Sequence, residues 1–235
     1  MFKSVALFLM FFMTLCPSLR ARHIAEPNTS NAVSRYKSAA VNLAEDFISP
    51  EDIADARGVT YSPQQLKTFE DTLPVCEELV WLHDNGFMLV AGPPKPLSLL
   101  GIRELNPEYF FPKMRGWYYS ERERFSRDEK ATTKWLKLRK GPLPGSTGKS
   151  WDEQIALLMD VEYVPNDAEV EWGVTTYKAV RGIYLLSNLL VRTASRDAVV
   201  RGHVYMGYFA ETGLQISGYW DSSRSAPLGI ASARK

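Results

Sequence analysis

Two closely spaced glutamates and one histidine carry the side chains that acid–base catalysis needs. Glu169 and Glu171 share a face if their segment is a strand, and lie on nearly opposite faces if it is a helix. A glycosidase uses two carboxyl groups about 5 to 10 Å apart, and a histidine such as His83 can act as a general base. These three are the candidate catalytic residues, although any chain with 27 acidic residues brings some pairs together by chance.

The densest group of aromatic residues lies between Tyr109 and Phe125 and alternates with basic residues. Trp117, Tyr118 and Tyr119 are its candidate residues for contact with a protein or glycan partner, because Tyr and Trp combine an apolar ring with a polar group. Similar interleaving occurs on single-strand nucleic-acid platforms and in a packed core with a charged rim. Neighbouring acidic residues offset the positive charge and argue against nucleic acid: Glu121, Glu123, Asp128 and Glu129.

Three further binding candidates belong to two predicted strands near the end of the chain. His203 and Tyr205 share one face of the strand predicted over Val199–Phe209. Tyr219 lies on the polar face of the strand predicted over Leu214–Trp220, whose other face carries Leu214, Ile216 and Trp220. We expect the polar side of this hairpin to form part of a contact surface.

The segment Gly145–Ser150 resembles the end of a phosphate-binding P-loop. The full motif needs a glycine where this chain has Leu143. Ser150–Glu153 instead has the pattern of a capping box, which predicts a helix over Trp151–Met159 and makes the preceding glycines its entry loop. The sequence has no dinucleotide fingerprint, nucleophile elbow or histidine pair with metal-ligand spacing. We therefore expect no cofactor and no metal site.

The first residues have the pattern of a secretory signal. Val5–Leu15 is apolar apart from one threonine and is too short to cross a bilayer, which takes about 20 helical residues. The candidate cleavage sites follow Ser18 and Ala21, so the export signal is assigned to residues 1–21 with its exact end open. Cys16 allows a lipoprotein signal as an alternative. A retained leader or a wrongly assigned start is a further alternative. We expect a periplasmic or extracellular protein with no stable membrane span after cleavage.

The predicted removal of the leader determines how many cysteines the mature protein has. Removal of the leader leaves Cys76 as the one cysteine, in an apolar setting that favours a buried free thiol. Residues 22–33 are polar and predict a flexible arm, and residues 34–235 predict a single domain.

Helices are predicted mainly in the first part of that domain. Apolar spacing predicts a helix over Ser34–Phe47, and Ser-Pro pairs at Ser49 and Ser62 predict two further helix starts. Phe87–Ala91 is predicted as a strand, followed by a stiff connector over Gly92–Pro96.

Strands are predicted mainly in the last third. Ala168–Arg181 is either a helix capped by Asn166 or a strand, and Ile183–Arg192 is predicted as a buried strand before the hairpin. The predicted fold class is α+β, with a helical N-terminal half packed on a C-terminal antiparallel sheet. The small residues near the end, Leu228–Lys235, are expected to lie along this sheet and to finish in a solvated terminus.

Composition limits the functional classes. The chain has 235 residues, 45% of them hydrophobic, and a formal net charge of +1. These values exclude wholesale disorder and a globally basic nucleic-acid-binding protein.

Four segments also resemble a group of uncharacterised bacterial proteins over roughly residues 50 to 235. These segments are Trp151–Gln154, Val164–Asn166, Gly218–Arg224 and Leu228–Lys235. The resemblance implies a bacterial source and no particular activity, so it assigns no functional residues.

The sequence therefore favours an exported binding or interaction protein with an aromatic-rich contact surface and an unknown protein or glycan partner. The alternative is an exported hydrolase that uses carboxylate chemistry.

Overall fold

The computed structural model describes residues 29–111 and 117–235, with side chains from residue 36 onward except at Trp117. The predicted export signal and most of the predicted arm lie outside these residues, and residues 29–33 are helical. The helices are α1 Thr29–Leu43, α2 Pro50–Arg57, α3 Pro63–Asp71, α4 Cys76–Asp84, α5 Leu99–Leu105, α6 Phe125–Asp128, α7 Trp151–Ile155 and α8 Asp167–Arg181. The strands are β1 Phe47–Ile48, β2 Phe87–Ala91, β3 Trp135–Arg139, β4 Glu162–Tyr163, β5 Leu190–Arg196, β6 His203–Gly207, β7 Gln215–Tyr219, β8 Leu228–Ile230 and β9 Ala233–Arg234.

The strands form two mixed sheets. One has the order β1-β2-β3-β9-β4 with β1 and β2 parallel, and the other has the order β7-β6-β5-β8 with β5 and β8 parallel. The described residues therefore have the predicted α+β fold. The finer arrangement matches the prediction only in part, because β1 and β2 come from the N-terminal half and each sheet contains one parallel pair of strands.

Helix α8 is the central helix of the molecule. It contacts α2, α5 and strands of both sheets, and its residues from Asp167 to Tyr177 are buried. Its indole at Trp172 donates to the carbonyl of Ala91 in β2 at 2.9 Å. Burial on almost all sides explains why its sequence does not separate into one apolar and one polar helix face, and why it suits a strand as well as a helix.

Capping interactions at its N-terminus favour the helix over the strand for this segment. The side-chain oxygen of Asn166 accepts from the amide of Glu169 at 2.9 Å, and the Glu169 carboxylate accepts from the amide of Asn166 at 3.2 Å. This capping box starts α8, and Gly182, with φ 74°, ends it in the left-handed conformation. The helix starts predicted at Ser49 and Ser62 are confirmed, and a capping box forms at each; the capping box predicted at Ser150 is present as well.

Several predicted boundaries are wrong. Ile183–Arg192 is not one strand, because the chain turns after Gly182 and β5 starts only at Leu190. The helix after Ser150 ends at Ile155 rather than at Met159, and the first helix ends at Leu43. The strand Phe87–Ala91 is confirmed at both ends.

The expectation of a buried free thiol is also wrong. Cys76 starts α4, is only half-buried and is disulfide-bonded.

Candidate functional site

The β6–β7 hairpin aligns the predicted binding residues as its register requires. His203 pairs with Tyr219, and Tyr205 pairs with Ser217. Side chains directly opposite each other in an antiparallel pair lie on the same face. The hairpin therefore brings His203, Tyr205 and Tyr219 together, as its sequence predicted.

Three rings form a continuous aromatic surface at this hairpin. The Tyr205 and Tyr219 rings meet edge to face with centroids 5.9 Å apart, and the Tyr219 and Trp220 centroids are 6.2 Å apart. Both tyrosines are half-buried, and Trp220 is 64% exposed. We call Tyr205, Tyr219 and Trp220 the aromatic face. The prediction that Trp220 joins Leu214 and Ile216 on the buried side is wrong, because β7 ends at Tyr219 and the chain turns there.

His203 lies beside the aromatic face, on the same side of the sheet, and is covered by Trp151. It is 2% exposed, and its ring stacks on the Trp151 indole with centroids 3.2 Å apart and planes 13° apart. Its Nδ1 lies 2.6 Å from Oδ1 of Asp221. The prediction of a direct contact residue therefore does not hold for His203, since the stacked indole and the sheet enclose it.

Burial lowers the pKa of His203 to about 4, and this outweighs the opposite effect of the Asp221 carboxylate. The ring is neutral at pH 7, and Nδ1 donates to Asp221, because a carboxylate only accepts. No described residue hydrogen-bonds Nε2 of His203.

Charged side chains surround the aromatic face. Arg196 pairs with Asp221 at 2.9 Å and Arg224 pairs with Glu153 at 2.9 Å, with both arginine side chains 60% exposed. Although burial opposes it, the hydrogen bonds from His203 and Arg196 lower the pKa of Asp221. Asp221 thus stays charged and holds an arginine on one oxygen and the buried histidine on the other.

A buried arginine fixes the loops around the face. The Arg192 guanidinium donates to the carbonyls of Lys149, Trp220 and Ser223 at 2.8 to 3.1 Å. It also donates to the side-chain oxygen of Gln154 in α7 at 2.8 Å. Arg192 therefore joins β5, α7 and the turn after β7 into one rigid unit.

In the loop that resembles a P-loop, Gly145–Ser150, two backbone amides donate hydrogen bonds to carbonyls of the protein itself. The amide of Ser146 donates to Leu143 and the amide of Gly148 donates to Leu228, at 3.0 and 3.3 Å. The Ser146 hydroxyl accepts from the amide of Ile230 at 3.1 Å. These amides are turned toward the protein, which agrees with the prediction of a helix-entry loop rather than a phosphate cradle.

The segment from Tyr109 to Phe125 contributes mainly to the core. Phe110 and Phe125 are buried, and Tyr118 is 2% exposed, so Tyr118 cannot touch a partner in this conformation. Burial raises the pKa of Tyr118 to about 12. Tyr119 is 47% exposed and has the Arg103 guanidinium 5.5 Å from its ring centroid. The side chain of Trp117 lies outside the described residues.

The three candidate catalytic residues are not brought together. Glu169 caps α8 and pairs with Lys134 at 3.0 Å, whereas Glu171 is fully buried near Arg57 and Arg103. His83 is exposed on α4 and contacts its neighbour Asp84. Their different neighbours follow from the helical conformation, which turns positions 169 and 171 to different sides.

A small, largely apolar cavity lies beside α8. Its walls include Met88, Leu138 and Val174 but no residue of the aromatic face. Its polar neighbours Arg139 and Ser232 both donate to Glu162, so they are not free to bind a ligand.

The residues that fix the site were not among the predicted site residues. Trp151 belonged to a predicted capping box, Asp221 to the segment Gly218–Arg224, and Arg192 to the end of a predicted strand. The signal that could have found them is a tryptophan at the start of α7 and an Asp–Arg pair in the turn after the hairpin.

Within the described residues, no group of three His, Cys, Asp or Glu side chains is placed to hold a metal ion. In the same residues, no helix is both long and apolar enough to cross a membrane. Comparison of the chain with models of protein families, with curated proteins and with solved structures finds no match.

Proposed function

We propose that the chain is an exported binding protein that uses the aromatic face to hold a protein partner. The observation that carries this proposal is the run of three neighbouring rings, one of them an exposed tryptophan, beside a turn that His203 and Arg192 hold through Asp221 and the Trp220 carbonyl. Tyr, Trp and Arg are the residue types that contribute most to binding at protein interfaces.

The surroundings of the face favour a protein over a glycan. Arg196 and Arg224 form a charged border in exposed ion pairs, beside the apolar rings. An apolar centre with a polar rim is the usual organisation of a protein interface. The anchoring residues also hold the rings in place before binding, which reduces the entropy that a partner must overcome.

The proposal is tested with Trp220→Ala. The variant removes an exposed ring, so its free energy of unfolding should stay within about 0.5 kcal/mol of the wild type. Affinity for the partner should fall at least about 30-fold, which corresponds to about 2 kcal/mol. Val75→Ala, which shortens another exposed apolar side chain at the start of α4, is the matched control and should bind normally.

The partner is sought by placing a photo-reactive phenylalanine at position 220 and, separately, at position 75. The proposal is supported if one protein from the extracellular or periplasmic fraction meets two conditions. It crosslinks to the probe at position 220, and it binds to the wild type and to V75A but not to W220A. A thermal shift with peptidoglycan fragments or oligosaccharides that W220A abolishes would make the occupant a glycan. Equal capture by all three proteins would exclude the aromatic face.

Export is tested separately. Residues 1–33 are fused to a reporter enzyme that is active only outside the cytoplasm, because the apolar run Val5–Leu15 is the basis of that part of the proposal. An inactive fusion would place the binding protein elsewhere without affecting the aromatic face.

A further inference from the structure

Two acids on α8 are fully buried and have no hydrogen-bond partner. Asp167 and Glu171 lie four residues apart, so their side chains share one face of the helix, one turn apart. Both residues have 0% exposure, and none of their four carboxyl oxygens is hydrogen-bonded. Buried polar atoms are nearly always bonded, so two such acids side by side require a physical explanation.

The cations near Glu171 do not bond it. Arg57 of α2 and Arg103 of α5 attract Glu171 through space. Arg57 is itself buried, donates through Nη1 to the hydroxyls of Thr175 and Thr176 at 3.3 and 2.7 Å, and lies 4.3 Å from the centre of the Trp172 ring. Its Nε donates to Asn106 at 3.1 Å, and Nη2 has no hydrogen-bond partner. The positive charge is thus close to Glu171, but no nitrogen of Arg57 donates to the Glu171 carboxylate.

The other groups that face the pair are acidic or neutral. Glu129, which follows α6, repels Asp167, and Tyr118 faces Glu171. From β5, the Ser195 hydroxyl accepts from the amide of Asp167 at 2.8 Å and donates to Glu129, so it does not reach the Asp167 carboxyl.

This environment disfavours ionised acids. Burial raises the pKa of Asp167 and of Glu171 well above their usual values, and repulsion from Glu129 and from Asp167 respectively adds to the effect. Arg57 and Arg103 oppose it only for Glu171. The oxygens are closed off from solvent, so what they can take up without opening of the structure is a proton.

We propose that Asp167 and Glu171 form a proton-operated lock, which holds α8 against α2 and α5 while both acids are neutral and loosens this contact when alkaline solution removes a proton. The unfolded acids ionise near pH 3.8 and 4.5, whereas the folded acids keep their protons to higher pH. Above about pH 4.5 the folded state therefore binds more protons than the unfolded state, and stability falls as pH rises. The fall continues until the folded acids ionise.

The test compares the wild type with Glu171→Gln, in urea unfolding from pH 5 to pH 9 and in hydrogen exchange of residues 50–57 and 167–181. Relative to E171Q, the unfolding constant of the wild type should rise by up to about tenfold per pH unit, because the opposite effect of His203 below pH 6.5 is the same in both proteins. Protection of both helices in the wild type, taken relative to the intrinsic exchange rate at each pH, should fall. E171Q removes one ionising group, so its dependence on pH should be weaker. The control is Glu169→Gln, an acid of the same helix that already pairs with Lys134, and it should follow the wild type.

Stability profiles of the wild type and E171Q that run parallel across this pH range would overturn the proposal. If E171Q fails to fold, His203→Asn replaces it: without the opposing histidine its stability should fall as pH rises, and a constant or rising stability would overturn the proposal. Infrared spectra at pH 7 should show the carbonyl band of protonated carboxylic acids in the folded protein, lost on unfolding. Carboxylate bands alone would also overturn it. None of these readouts involves the aromatic face, so failure here leaves the binding proposal standing.

Discussion

At the scale of single residues, burial rather than residue type decides the chemistry. His203 and His83 have the same side chain beside an aspartate, yet His203 is enclosed by the Trp151 ring and His83 lies in solvent. Glu171 and Glu169 differ in the same way, since one is buried without a bond and the other is a paired capping residue. Each of these side chains has its role assigned by what surrounds it.

His203 should make stability depend on mildly acidic pH. Its pKa is about 4 in the folded protein and 6.5 in the unfolded chain, so the unfolded chain binds more protons between these values. The stability contributed by neutral His203 is complete above pH 6.5 and is lost as pH falls toward 4, by up to about 3 kcal/mol. Urea unfolding from pH 4.5 to 7 checks this by the difference between the wild type and His203→Asn.

The asparagine variant keeps a donor for Asp221 but cannot ionise. His83→Asn, at the exposed histidine, is the control and should leave the pH profile unchanged. Parallel profiles for the wild type and H203N would show that His203 stays protonated to the same degree in both states.

At the scale of elements, capping boxes define where four of the eight described α-helices start. The boxes at Ser49, Ser62, Ser150 and Asn166 each join residues three positions apart, and the one at Ser150 was predicted as such from the sequence. The box at Asn166 has the greatest consequence, because α8 carries the buried acids and contacts both sheets.

Loss of this cap should destabilise the protein without changing its fold. Asn166→Ala removes the side-chain acceptor for the Glu169 amide and should lower the free energy of unfolding by about 1 kcal/mol, within a range of about 0.5 to 2 kcal/mol. Urea unfolding at pH 7 measures this change. The slope of the unfolding free energy against urea concentration should stay the same, because the fold does not change. Asn166→Ser keeps a capping oxygen and should recover most of the loss. An alanine variant as stable as the wild type would mean that packing alone starts α8.

At the scale of the whole molecule, the last described residues complete the five-stranded sheet. Ala233 of β9 pairs with Leu138 of β3 on one side and with Tyr163 of β4 on the other. The Arg234 guanidinium lies 4.0 Å from the centre of the Trp81 ring, so this segment is packed, as expected from its small residues, while Lys235 at its end is exposed, as predicted.

Deletion of Ser232–Lys235 should therefore affect the whole fold. It removes the strand between β3 and β4, together with the hydroxyl that Ser232 donates to the buried Glu162. We expect a loss of about 3 to 5 kcal/mol or the loss of cooperative unfolding, measured by circular dichroism during urea unfolding. Lys235→Ala keeps the backbone and should be nearly neutral. A deletion variant that unfolds as the wild type does would contradict the central place of β9.

The sequence by itself determined the features that depend on near neighbours. The capping box at Ser150, the helix starts at Ser49 and Ser62, the strand Phe87–Ala91, the β6–β7 hairpin and the α+β class were all readable, because each rests on contacts within a few residues or on strand alternation. The sequence also placed Tyr205 and Tyr219 on one face, since strand periodicity fixes that relation.

Only the tertiary structure decided which side chains are buried and with which partners. Trp151 and His203, Arg192 and Trp220, and Glu171 and Arg57 lie far apart in the chain, and no local pattern brings them together. Burial of α8 on almost all sides hid its helical period, and no local pattern showed that its acids are buried. Burial and electrostatic environment arise from packing of the whole chain, so the candidate site and its chemistry became visible only in the fold.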